Sequence, residues 1–172
     1  MSTVTRSWIK RPMVGVLLIG IGMLFFSQCP AYDVIQSQRA RSRLLCKTSY
    51  QDLRDAGREI LSQVAAGKLR FGDHAVRGRR SFPNGLALPR AVIDLNPRVV
   101  RIVEDGYVMI EMHGGMDSFG VNVYPDKYLP PFVGFPLGDR ELMDGLWYYD
   151  GEYKWPGYAE RIDRMLQQRR RD

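Results

Sequence analysis

Apolar residues recur at several different spacings along this chain, and each spacing predicts a different element. Residues 12–27 carry no charge and are almost wholly apolar. Further on, Tyr50, Leu53, Ile60, Leu61 and Val64 return at helical intervals, and Ile162, Met165 and Leu166 do so in a stretch that begins near Tyr158. Between them, residues 98–104 and 107–113 are rich in β-branched side chains, and Phe119, Val121 and Val123 alternate with Gly120, Asn122 and Tyr124. A long uncharged run predicts a membrane segment, a 3.6-residue period an amphipathic helix, and alternation a strand.

Local signals place the boundaries. Ser49 is set to cap the first amphipathic helix with Asp52 three positions on, and Gly67 supplies its stop. Pro89 opens a short helical turn through Leu95, which Asn96-Pro97 ends. Residues 71–86 lack periodicity and predict a long loop. Asp105-Gly106 predicts a hairpin with a two-residue connection. Counting outward from it pairs Val103 with Val108 and Val99 with Met112, with Ile110 on the same apolar face and Arg101 as its polar exception. A second hairpin is expected at Asp150-Gly151, joining residues 146–149 to 152–155. Residues 128–136, with three prolines, cannot sustain a ladder and predict an extended loop over the sheet. Helix, antiparallel strands and a closing helix make an α+β domain without internal repeats.

The apolar run sits directly behind Arg6, Lys10 and Arg11. Its length of about sixteen residues falls between a signal-peptide core and a spanning helix. Trp8 and Ile9 at the headgroup level, with Lys10 and Arg11 snorkelling, extend the span by about a turn, which favours a retained anchor. The expected organisation is a cytoplasmic N-terminus at 1–11, a transmembrane or signal-anchor segment at 12–28, a polar stalk or linker at 29–48, and an extracytoplasmic α+β domain at 49–172. The alternative is secretion after cleavage near Ala31, since Cys29 and Ala31 place small residues where a signal peptidase requires them. A lipid-modified Cys29 fits poorly behind Phe26, Ser27 and Gln28. In an exported chain Cys29 and Cys46 are a possible disulfide pair, within one chain or between two.

Composition adds little to this organisation, but charge changes it. The chain of 172 residues carries a formal net charge of +6 and is 45% hydrophobic, values ordinary for one folded domain. Residues 39–101 hold fourteen Lys or Arg against five Asp or Glu, whereas residues 102–172 hold eight against thirteen. The basic half follows the expected membrane exit, which suits contact with anionic headgroups or an acidic polymer and, for an exported domain, argues against nucleic acid.

Chemistry-bearing residues are few. Glu111 and His113, two apart on one strand, are expected to share a face about 7 Å apart. Asp117 follows the Gly114-Gly115 turn and is placed to return beside them. A carboxylate orienting an imidazole builds a general base, and three such side chains hold a divalent ion. A solvated hairpin face, with His113 opposite Arg98, is the plainer reading. His113-Gly114-Gly115 resembles the oxyanion-hole loop of lipases and esterases, but the chain has no Gly-x-Ser-x-Gly elbow. It also has no phosphate-binding glycine motif and no zinc-type cysteine pairing, so these motifs name no cofactor and assign no metal site. Trp147, Tyr148, Tyr149, Tyr153, Trp155 and Tyr158 crowd one short stretch. Strand alternation sends about half of such rings inward, and Trp147, Tyr149 and Trp155 are the candidates to contact a protein or cell-wall polymer. The functional expectation is a single-pass membrane-anchored domain with a binding or structural role. The alternative is a small hydrolase or metal-dependent enzyme using Glu111, His113 and Asp117.

Overall fold

Strands dominate the chain wherever β-branched residues alternate, and a computed structural model assembles them into one sheet. It describes residues 30–113, 118–125, 139–151 and 157–169. In chain order the elements are helix α1 (Pro30–Ser42), a π-helical turn (Arg43–Lys47), α2 (Tyr50–Ala65), β1 (Gly72–Ala75), α3 (Arg90–Leu95), β2 (Val99–Val103), β3 (Tyr107–His113), β4 (Phe119–Val123), β5 (Arg140–Met143), β6 (Leu146–Asp150) and α4 (Tyr158–Arg169). The strands form a six-stranded antiparallel sheet in the order β1-β2-β3-β4-β6-β5. The protein is therefore α+β. Two units divide the chain, Met1–Arg39 and Ala40–Asp172, and of the first only the helical residues 30–39 are described. No described helix is long and apolar enough to cross a membrane, and the expected span at residues 12–28 lies outside the described residues.

Both predicted amphipathic helices form as their signals require. The Ser49 hydroxyl accepts from the Asp52 amide at 3.2 Å, and α2 ends just before Gly67, whose φ of 69° provides the left-handed stop. Leu53, Ala56, Gly57 and Ile60 are the buried stripe of α2, which packs on β3 and β4. The fit is close at Gly57, where a Cβ would stand 2.5 Å from the Val123 side chain. α3 starts after Pro89 and stops at Asn96 in the left-handed conformation.

Four local expectations need correction. The β2–β3 connection has three residues, so Val103 faces Tyr107, Ile102 faces Val108, and Val100 faces Ile110. Gly106, at φ 87°, donates its amide to the Val103 carbonyl at 3.0 Å, a turn closed by a left-handed residue in place of a two-residue loop. One residue of slip exchanges the faces of β2. Val100 and Ile102 enter the core, and Arg101 leaves it for the other side.

Within the stretch expected as a loop, Gly72–Ala75 forms edge strand β1 against β2; its four residues carry no apolar alternation to announce it. The second Asp-Gly hairpin is Asp144-Gly145, joining β5 to β6, with Met143 facing Leu146. β6 has β4 and β5 as its partners, and residues 152–156 lie outside the described residues, as do 126–138.

The last correction concerns the expected stalk, whose end belongs to the core: Leu44 and Leu45 are fully buried. The π-helical turn that carries them leaves carbonyls without helical partners, and side chains supply the donors. Arg169 from α4 donates to the carbonyls of Leu45 and Thr48 at 2.9 and 2.7 Å. The Tyr50 hydroxyl donates to the Leu45 carbonyl at 2.7 Å, and the Arg169 guanidinium lies 3.6 Å from the centre of the Tyr50 ring. Cys46, on the same turn, is an exposed thiol; Cys29 lies outside the described residues.

Candidate binding site

Alternation divides the sheet into a helix-covered face and a second face, and the second face gathers most of the unusual polar groups. Val100, Ile102, Val108, Ile110, Phe119, Val121, Val123, Leu146 and Tyr148 fill the first. On the second, the registers align Asp73, Arg101, Met109, Asn122, Trp147 and Glu141 in one row across all six strands. The next row is Ala75, Val99, Glu111, Gly120 and Tyr149. Two of the expected binding residues, Trp147 and Tyr149, thus lie on the face that carries Glu111. Trp155 lies outside the described residues.

Gly120 is what lets this row close. A Cβ there would stand 2.1 Å from the Ile110 carbonyl oxygen and 2.8 Å from the Tyr149 hydroxyl, so the phenol occupies the space a side chain would take. That hydroxyl is buried and has no hydrogen-bond partner, and neither does the buried Asn122 Oδ1; Asn122 is only 7% exposed. Buried polar atoms are nearly always paired, because an orphan loses its hydration without replacement. Burial holds the Tyr149 phenol well above its usual range; the Glu111 carboxylate adds to the shift, and Arg101 opposes it. The group is therefore a neutral donor, not a base.

Ion pairs border the face. Arg98 donates to Glu111 Oε1 at 3.1 Å. Arg101 grips both carboxylate oxygens of Asp73, one at 2.9 Å, and that hydrogen bonding is the main reason Asp73 is held below the usual carboxylate range. The Tyr107 and Tyr124 rings pack with centroids 4.9 Å apart. Tyr149 and Asn122 thus leave a donor and an acceptor unpaired beneath this face, to which Trp147 adds a half-buried ring.

The pairing of β3 with β4 changes between Glu111 and His113. The β3–β4 register shifts between them, so Glu111 faces Gly120 while His113 faces Phe119. An extra residue enters β3 against β4 at this point. The His113 ring stacks on Phe119, a fully buried residue of the helix-covered face, with centroids 6.3 Å apart. Arg77 holds the bulge by donating to the Met112 carbonyl at 3.0 Å. Asp117 lies outside the described residues. Among the described residues no group of three His, Cys, Asp or Glu side chains is placed to hold a metal ion.

A second polar cluster is buried and internally satisfied. Asp150, fully buried, accepts from Arg41 Nε at 2.8 Å and Arg41 Nη2 at 3.2 Å, from the Tyr158 hydroxyl at 2.8 Å, and from the Tyr148 hydroxyl. The Arg41 guanidinium lies 4.2 Å from the Phe119 ring centre and 5.3 Å from that of Tyr158. Such a network joins α1, β6 and α4 and leaves no group for a ligand.

Sequence reading missed Arg98, Arg101, Asp73 and Asn122. The available signal was Asn122, a lone polar side chain amid the apolar residues of β4. No family model matches this chain, and neither a curated protein nor a solved structure is significantly similar to it.

Proposed function

We propose that this is a single-pass membrane-anchored protein whose α+β body lies outside the cytoplasm and binds a partner through the second face of its sheet. The anchor rests on the cationic start and apolar run of residues 6–27. The observation that carries the binding role is the buried, unpartnered hydroxyl of Tyr149, set over Gly120 beside Glu111 and near the unpartnered Asn122 Oδ1. Half-buried Trp147, facing Asn122 across the strands, supplies a ring against which the C–H face of a sugar or a peptide side chain packs. A hydrolase reading needs Glu111 and His113 to act together, and the bulge between them favours the binding role instead.

Two measurements test this. Carbonate extraction with intact-mass determination on C-terminally tagged protein from its native host should find a full-length mass in the membrane pellet. A soluble chain beginning at Tyr32 would exclude the anchor. Detergent-solubilised full-length protein should also co-sediment with cell-wall polymer from that host. Trp147→Ala and Tyr149→Phe should each weaken co-sedimentation at least about tenfold, the effect of a well-packed contact residue, while circular dichroism stays unchanged. Equal retention of the wild type and both folded variants would remove the second face from the argument.

A further inference from the structure

One end of the sheet gathers four arginines, of which Arg77 braces β3 through the Met112 carbonyl and Arg98 pairs with Glu111. β1 ends there at Ala75, β2 begins at Val99, β3 ends at His113, β4 begins at Phe119 and β6 ends at Asp150. The turn after β1 is pinned to this end. The Val76 amide donates to the Arg98 carbonyl at 3.2 Å, and the Arg79 amide donates to the Val76 carbonyl at 2.9 Å. The Gly78 amide donates to Asn96 Oδ1 at 2.8 Å, and Arg77 is tied to Met112. Exposed Arg77, Arg79, Arg80 and Arg98 are thereby held around a rigid turn. Glu111 neutralises Arg98. Arg79 and Arg80 have no carboxylate partner among the described residues, although four amide and guanidinium anchors hold their backbone in place.

We infer that Arg77, Arg79 and Arg80 form a docking surface for the anionic headgroups of the membrane that carries the anchor. This rests on the anchor reading above. Two features select a lipid surface over a soluble polyanion. The body begins at Ala40 and attaches at this same end, where Arg41 bonds Asp150 and packs on Phe119. In addition, only residues 29–39 separate the expected span from the body, about 17 Å when helical. Guanidinium groups match phosphate oxygens in bidentate geometry, and near an anionic leaflet each cation strengthens association roughly fivefold.

The test is arginine footprinting with phenylglyoxal, read residue by residue by mass spectrometry. Full-length protein is reconstituted in nanodiscs of phosphatidylcholine alone or of phosphatidylcholine mixed with phosphatidylglycerol. In the anionic discs Arg79 and Arg80 should react at least about fivefold more slowly, and high salt should abolish the protection. Arg164 on α4 should react equally in both. Equal rates for Arg79 and Arg80 in the two lipids would overturn the inference. So would protection that appears only when inorganic polyphosphate is added to the neutral discs, since that points to a soluble polymer. Should the chain fail to incorporate at all, the anchor reading falls separately. Preformed phosphatidylglycerol vesicles mixed with the soluble protein then decide the surface: protection upholds it and unchanged rates sink it.

Discussion

Single side chains set the chemistry of both polar clusters, and the tyrosines are their most readable reporters. Burial raises the Tyr148 phenol above its usual value, reinforced by the charge and hydrogen bond of Asp150, and burial likewise raises Tyr149. A folded-state pKa above the unfolded one favours the protonated fold. This contribution is complete below the ordinary phenol value near 10 and is lost as pH rises beyond it. Alkaline titration followed by phenolate absorbance and circular dichroism should therefore find Tyr148 and Tyr149 ionising only together with loss of structure. Ionisation of both near 10 in a folded protein would contradict their burial. Gly120 offers a second prediction. Gly120→Ala should destabilise by about 1–3 kcal/mol through overpacking, measured by denaturant unfolding. Adding Tyr149→Phe should not restore the loss, because the Ile110 carbonyl at 2.1 Å remains in the way.

Elements meet more tightly than propensity alone requires. In a free helix Gly57→Ala gains about 1 kcal/mol, yet in α2 the new methyl falls 2.5 Å from Val123. The net effect should be destabilising by about 1–2 kcal/mol. Val123→Ala should offset much of it in the double variant, giving a coupling above about 0.5 kcal/mol in thermal or denaturant unfolding. Additive losses would show that α2 does not rest on β4 at this point. The β2–β3 turn teaches a related lesson. Asp105-Gly106 announces a hairpin, but two- and three-residue closures place that dipeptide alike, and the choice between them decides which face of β2 is buried.

At the scale of the whole molecule, the Arg41–Asp150 pair ties the first residues of the body to β6 and α4. Removing one partner leaves a buried charge alone. Arg41→Met should accordingly destabilise by about 3–5 kcal/mol, while replacing both Arg41 and Asp150 by apolar residues of similar size should cost much less. Equilibrium unfolding of the two variants checks this, and equal losses would mean that the pair's charges do not interact. Arg169 works in the same way at longer range, closing the π-helical turn from the far end of the chain.

By itself the sequence determined the α+β class, the capped helix from Tyr50, the short helix after Pro89, the strands of the central hairpin and the last helix. All of these arise from periodicity and capping, which act over a few residues. It also named Glu111, Trp147 and Tyr149 for separate reasons, and the strand registers bring them to one face. Tertiary structure decided what depends on partners distant in sequence. β1 exists because β2 offers it an edge. His113 faces Phe119 because a bulge interrupts β3. Leu44, Leu45 and Arg41 are buried because β4, β6 and α4 receive them. Burial and pairing are properties of the assembled sheet and its helices, and no local pattern of side chains encodes which distant strand will supply the other half.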